Sequence, residues 1–306
     1  MMMSRPLVSV VIPYRNVDAT IGETLNSLVM QSMPDFEVLL IDDGSTDKTR
    51  EVIRNYFDPR FKVINLGEQR GIAAALNVGL NAASGKYIAR MDGDDICYLN
   101  RFRDQVAFLD ANSLVDLIGT GADVFGAMYA IFRSPLSHQL IVDQFLVNNP
   151  FIHPTVFFRR ELIDSGIYHY NEDFQTDEDY ELWSRLLPRI RAENLDHSSI
   201  RYRRHANSNQ NHPHIFQSKI HAIRQFCHAF AIADKLDPQV LAELQCSGFV
   251  TNEGFEQLRR YARYAEEFGK PKLGWLQDVF LREGSYSQVM NYYDAILGYR
   301  PFWGTF

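Results

Sequence analysis

VLLIDDGSTDKT, residues Val38–Thr49, holds a strand, a turn and the approach to a helix in one stretch. The run Phe36–Ile41, apolar except for Glu37, lacks regular polar alternation, which is the pattern of a strand buried on both faces. It stops at Asp42-Asp43-Gly44, residue types that favour turns. Ser45 stands where it can cap the next helix, whose Val52, Ile53 and Tyr56 face a core.

The same order repeats on either side. Val8–Ile12 is β-branched almost throughout and stops at Pro13, and a helix follows from about Asp18 to Gln31. Phe61–Leu66 reads as a third strand, Gly71–Ala83 as an Ala-rich helix, and Lys86–Met91 as a fourth strand ending in Asp92-Gly93-Asp94-Asp95. Strand and helix in alternation require a parallel sheet covered on both faces, with right-handed crossovers. Acidic residues gather where strands end, and open α/β sheets bind ligands at that edge. No G-x-G-x-x-G follows the first strand, so the dinucleotide fingerprint is absent.

Beyond Arg101 the pattern predicts a helix through Phe102, Val106 and Leu109, then strands Leu114–Thr120 and Ala122–Ala130. A helix Leu136–Leu146, a short strand Thr155–Phe158, a brief helix Arg160–Ser165, a helix Glu178–Leu187 and a last strand Ser198–Tyr202 follow. From about His214 apolar residues recur at helical spacing, as in Ile220, Ile223, Cys227 and Phe230, and Leu276, Val279 and Phe280 suggest another helix. The expectation is an α/β domain over 1–214 and a helical C-terminal appendage over 215–306, with the polar stretch Asn207–Pro213 as linker.

Composition bounds the function. The 306 residues carry 31 Lys plus Arg against 38 Asp plus Glu, a formal charge of -7, which argues against a nucleic-acid partner along a wide face. Three scattered cysteines, Cys97, Cys227 and Cys246, make neither a disulfide framework nor a metal-ligand pattern, and fit a reducing compartment. The apolar run Leu7–Ile12 is too short for a signal peptide or a span, and no later run of 18 residues is apolar and uncharged. The expected location is the cytoplasm, at most at a membrane surface.

Three acidic segments can carry chemistry. Asp92 and Asp94, two apart beyond a buried strand, can hold a hard cation such as Mg²⁺ or Mn²⁺, though the same residues also make an ordinary solvated turn. Asp42-Asp43 can accept hydrogen bonds from a base or a sugar, or cap a helix. Asp177-Glu178-Asp179 opens a helix; a carboxylate there can act as general base within about 3 Å of a hydroxyl, while Thr176 with Asp179 also fits a capping box. His153 and His205 lie near these acids in chain order but not at ligand spacing.

Taken in order, VSVVIPYRN (Val8–Asn16), VLLIDDGSTDKT, RGIAAALNVGL (Arg70–Leu80), GKYIARMDGDD (Gly85–Asp95), HPTVFFRREL (His153–Leu162) and EDYELWSRL (Glu178–Leu186) resemble the bacterial family 2 glycosyltransferases. The resemblance runs from about Val8 to His205. It implies a GT-A type, Rossmann-like, mostly parallel sheet with flanking helices, and an inverting transfer of a hexose or N-acetylhexosamine from a UDP-sugar. The acceptor it implies is a glycan or lipid-linked oligosaccharide in the synthesis of O-antigen, capsule or other cell-surface polysaccharide.

By the same resemblance Pro13, Tyr14 and Arg15 line the nucleotide pocket, Asp43 meets the base with Asp42 beside it, and Asp92 lies by the ribose and donor sugar. Asp94 ligates Mg²⁺ or Mn²⁺, His205 stands near the metal, and Asp179 is the catalytic base. Two positions depart from the family pattern: Arg15 stands where an aromatic is usual, and Leu76 where an arginine is common. The helical end is a candidate for contact with the inner membrane or for a homodimer. A nucleotidyltransferase, or a non-catalytic nucleotide-sugar-binding homologue, are the alternatives. The first would release pyrophosphate rather than a nucleoside diphosphate, and the second would bind donor without turnover.

Overall fold

In the computed structural model, which describes residues 5–205, 215–247 and 251–273, the first strand sets the layering. All seven residues of β1 (Val8–Tyr14) are buried. Side chains alternate across a strand, so Val8, Val10, Ile12 and Tyr14 join one apolar cluster and Val11 joins the other. The first cluster holds helix α1 (Ile21–Val29) through Ile21, Leu25 and Leu28. The strand β2 (Phe36–Asp42) divides in the same way, and α2 (Thr49–Arg54) adds Ile53 to the first cluster.

β3 (Phe61–Asn65) completes the parallel edge, and α3 (Ile72–Ala82) crosses to the opposite face. Its Ala73, Ala75 and Leu76 pack in the second cluster. Gly79 lets α3 sit close on the sheet, because a Cβ there would run into Val11 and Ile41. β4 (Tyr87–Arg90) returns beside β1, and β5 (Ile96–Cys97) and α4 (Arg101–Ala111) follow.

The second half is mixed. β6 (Leu117–Gly126), β7 (Ala130–Phe132), α5 (His138–Phe145), β8 (Phe157–Arg159), α6 (Glu161–Asp164), α7 (Glu178–Leu186) and β9 (Ala192–Arg204) give the sheet the order β3-β2-β1-β4-β8-β6-β9-β5, with β7 on β6. The β3–β2–β1–β4 half is parallel, β8 is antiparallel to β4 and β6, and β9 returns parallel to β6. The helices α8 (Ile215–Ala229), α9 (Pro238–Ser247) and α10 (Asn252–Phe268) pack into the same apolar cluster as α3, α5 and α7. Phe145 stacks on Tyr180 at 4.2 Å and on Phe226 at 4.4 Å between ring centres, so α5, α7 and α8 share one aromatic pile.

Several local expectations differ. Ser45 does not cap α2: its hydroxyl accepts from the Asn16 amide at 3.2 Å, and α2 begins four residues later, after Lys48. The Thr176–Asp179 capping box does not form, because Asp177 takes a left-handed backbone (φ 56°) at the entrance of α7 and turns the chain out of capping geometry. The two expected strands Leu114–Thr120 and Ala122–Ala130 are one strand through Gly121, bulged where it meets β9. Thr155 belongs to a 3₁₀ turn, His153–Thr155, because Pro154 suits a first turn better than a ladder. The last strand is longer than Ser198–Tyr202, since the polar residues before it pair along β6. The expected linker 207–213 and the helix around residues 276–280 lie outside the described residues. No helix among the described residues is long and apolar enough to cross a membrane.

Candidate active site

The ends of β1, β2 and β4 put three of the segments at one edge. Tyr14 pairs in register with Asp42, and the Tyr14 carbonyl accepts the Asp43 amide at 3.0 Å. Pro13 lies beyond the last register pair of β1 with β4, Val11 with Arg90, so its missing donor breaks no bond on that side. Tyr14 is buried, and burial followed by the charge of Asp42 pushes its hydroxyl up. Arg15 is exposed just past it.

Asp42 and Asp43 have different local duties. The Asp42 carboxylate accepts from the Ser45 amide at 2.8 Å and from Arg50 Nε at 2.5 Å. Asp43 accepts from the amides of Arg70 at 2.6 Å and Gly71 at 3.2 Å, which fixes the loop leading into α3. Gly71 stands there with φ 95°, a conformation glycine adopts without a Cβ penalty. Both residues are buried: Asp42 is a strut to Ser45 and Arg50, and Asp43 ties both of its carboxylate oxygens to the loop before α3.

The turn after β4 is the most acidic point. Asp92, Asp94 and Asp95 each offer an oxygen, and these lie within 4.8 Å of one another. Gly93 keeps this turn close to β1, since a Cβ there would make a tight 3.1 Å contact with that of Tyr14. Arg203 clamps the turn: its amide donates to Asp95 Oδ1 at 2.8 Å, its Nε to the Asp94 carbonyl at 2.8 Å, and its Nη2 to Glu23 at 2.8 Å. His205 Nε2 lies 2.8 Å from Asp94 Oδ2, so the chain end of β9 reaches the turn. Burial and the charge of Asp92 raise the Asp94 carboxyl, and burial with Asp92 and Asp94 raises Asp95 well above its usual range. Asp95 Oδ2 is buried without a partner. Crowded carboxylates with an unsatisfied buried oxygen suit a hard, oxygen-seeking divalent cation.

The second acidic cluster faces the same edge from α7. Asp179 Oδ2 accepts from Asn149 Nδ2 at 2.6 Å and Oδ1 from the Tyr180 amide at 2.7 Å. His153 Nδ1 lies 3.6 Å from Glu178 and 3.9 Å from Asp179, and its Nε2 pairs with the Tyr170 hydroxyl at 2.8 Å. Burial and Arg90 keep the imidazole well below its usual pKa, so it is neutral. Glu178 is pushed up to about 8 by burial and then by Asp179. Asp179 is raised by burial and by Asp177, against the hydrogen bond from Asn149.

Arg90, the last residue of β4, joins the two clusters. Its buried guanidinium lies 2.7 Å from Asp92 Oδ2, and its charge also lowers Glu178 and Asp179. The β4–β8 pairing brings this about, because the Arg90 amide donates to Val156, three residues after His153.

Of the three anchors of the sequence reading, Asp43 and Asp94 follow β2 and β4, and Asp179, in the first turn of α7, is linked to the β4 turn through Arg90. From the sequence, Arg90 and Arg203 are arginines near strand ends that could meet phosphates or simply be solvated; the structure instead sets them against the acidic turn. Asn149 was not foreseen and gave no signal, since its partner lies thirty residues away.

In sequence and in fold the chain is similar to known glycosyltransferases. Residues 9–166 match the family described as "Glycosyl transferase family 2". An uncharacterized glycosyltransferase of Haemophilus influenzae is 31% identical over 66% of this chain and 67% of its own. The putative glycosyltransferase EpsE of Bacillus subtilis is 33% identical over 66% of this chain and 74% of its own. The Escherichia coli protein WfgD, named as a UDP-Glc:alpha-D-GlcNAc-diphosphoundecaprenol beta-1,3-glucosyltransferase, is 28% identical over 59% of this chain and 70% of its own. In fold, the structure of S. aureus TarS 1-349 with UDP-GlcNAc superposes with a TM-score of 0.65 at 20% identity, over 96% of this chain and 91% of that one. The Pyrobaculum calidifontis mannosyltransferase PcManGT, solved with GDP-Man and Mn2+, does so at 0.56 and 19% identity, over 95% and 88%. With a family match across more than half its length, this chain belongs to glycosyl transferase family 2 and transfers a sugar from a nucleotide donor to an acceptor.

Proposed function

We propose an inverting transfer of a hexose or N-acetylhexosamine from a UDP-sugar to a hydroxyl of a glycan or lipid-linked oligosaccharide. The observation that carries it is the pair of acidic clusters, one at the β4 turn and one at the start of α7, held to one edge by Arg90. A single displacement needs this division of labour: one side of the sugar takes the leaving diphosphate, and the opposite side takes the acceptor proton.

Pro13, Tyr14 and Arg15 line the nucleotide side with Asp43, and Asp42 keeps that loop in place. Asp92 stands by the ribose and donor sugar. Asp94, with His205 beside it, would hold Mg²⁺ or Mn²⁺, and the ion would supply positive charge against the leaving diphosphate. Asp179 takes the acceptor proton, its carboxylate aimed by Asn149 and the Tyr180 amide. Glu178, behind it, orients the acceptor side. The names of WfgD and of the TarS and PcManGT complexes support a nucleotide-sugar donor and, for WfgD, a diphosphoundecaprenol acceptor. An acceptor of that kind puts the enzyme in the cytoplasm at the inner face of the inner membrane.

Asp179→Asn should cut transfer by about a hundredfold to ten-thousandfold while UDP binding in Mn²⁺ persists by calorimetry. Asp94→Asn should instead lose the Mn²⁺-dependent part of UDP binding. Asp179→Asn turnover near wild type, read as UDP release across a panel of UDP-sugars, would reject the base assignment.

A further inference from the structure

The acidic triplet Asp177-Glu178-Asp179 is flanked by two buried cations from different parts of the chain. Arg90 comes from β4, on the donor side. Lys219 comes from α8, beyond the region that matches the family. Its Nζ lies 3.5 Å from Asp177 Oδ1 and 4.6 Å from the centre of the Tyr180 ring, and the residue is only 4% exposed. An ammonium is rarely buried to this degree unless it is paired. Asp177 is the residue whose left-handed backbone sets the direction in which α7 begins.

Other contacts from the same region grip the next turn. Gln245 Nε2 of α9 donates to the Tyr180 hydroxyl at 2.8 Å and to the Leu146 carbonyl at 3.0 Å. Phe226 of α8 stacks on Phe145, which in turn stacks on Tyr180. Tyr180 is the neighbour of Asp179 and donates its amide to the Asp179 carboxylate. The C-terminal helices therefore bear on Asp177, two residues before the base, and on Tyr180, the residue after it.

We propose that Lys219 is a positioning residue for sugar transfer: by pairing with Asp177 at the left-handed entrance of α7, it fixes the direction in which Asp179 faces the acceptor. This rests on the reading of Asp179 as the base. Without the ammonium, the Asp177 carboxylate has no counter-charge from α8 and two neighbouring acids to repel it. It turns toward solvent, and the first turn of α7 moves with it. Misplacement of a base by a fraction of an ångström costs turnover, not donor affinity, because the nucleotide lies at the ends of other strands.

The test uses the full chain with the UDP-sugar that wild type turns over fastest, with UDP as the binding probe. Lys219→Met should lower kcat by about tenfold to a hundredfold, with donor KM and calorimetric UDP binding in Mn²⁺ unchanged. Lys219→Arg should restore most of kcat. The double variant Asp177→Asn, Lys219→Met should also recover, since a neutral amide needs no counter-charge. Wild-type kcat in Lys219→Met overturns the inference. So does a kcat that stays low in both Lys219→Arg and the double variant, because a packing defect is indifferent to charge. Asp179→Asn run in parallel separates the two claims. If it is inactive while Lys219→Met is fully active, only the role of Lys219 fails; if it is active, the base reading fails and takes this inference with it.

Discussion

Glu178 has a carboxyl that burial and the neighbouring Asp179 push from 4.5 to about 8. The charge of Arg90 offsets this only in part, and the nearby His153 is kept neutral by burial and Arg90. The folded chain therefore holds a proton on Glu178 that the unfolded chain gives up near pH 4.5. The stability tied to that proton is complete below 4.5 and is lost as pH rises through about 8. Glu178→Gln cannot ionise, so in the metal-free protein its melting temperature should fall less than that of wild type between pH 5 and pH 9. Parallel melting curves across that range would contradict the burial argument. Among single residues, Asp92, Asp94 and Asp179 were legible because carboxylates at a strand end or a helix start are visible in one dimension. Asn149 was not, because an asparagine acquires its role only from the oxygen it meets.

The elements are locked to one another by polar bonds as well as by packing. Glu37 on β2 accepts from Ser9 of β1 at 2.6 Å, from the Ser84 hydroxyl at 2.6 Å and from Lys62 of β3 at 2.7 Å. One buried carboxylate thus ties three strands to the loop that enters β4. Burial alone would raise this group, but the hydrogen bonds from Lys62, Ser84 and Ser9 outweigh it and hold it at about 2. Its contribution is present above the usual 4.5 and is lost as pH falls through about 2.

Glu37→Gln should cost roughly 1–3 kcal/mol in urea unfolding at pH 7. Lys62→Met should cost under about 1 kcal/mol, since its partner keeps two serines and the lysine itself reaches solvent. Equal losses would mean that the ion pair, not the serine bonds, supports the sheet. In sequence Glu37 looked like an interruption of an apolar run. The parallel strands were legible from short, mainly apolar runs that stop at turn residues, whereas β9 was only half legible, because its polar first half is a strand through its pairing with β6.

For the whole molecule, the decisive fact is that α8–α10 and the helices on one face of the sheet form a single apolar cluster. Phe226, fully buried in it, touches Phe145 and Phe230. Phe226→Ala should destabilise the chain by about 3–5 kcal/mol. Because the cluster is shared, calorimetry should show one transition moved to lower temperature. Two separated transitions would mean that the C-terminal helices melt as an independent body.

The sequence by itself determined the order of strands and helices on the donor side, the three acidic segments and the family they resemble. Each of these depends on neighbours along the chain: apolar periodicity, a turn-forming pair, a carboxylate after a strand. The tertiary structure alone decided that Arg90 would stand between two acid clusters, that Asp42 would hold Arg50 while Asp43 holds the loop before α3, and that a lysine from the C-terminal helices would reach the entrance of α7. Those are relations of charge and distance between residues far apart in the chain, and only folding creates them.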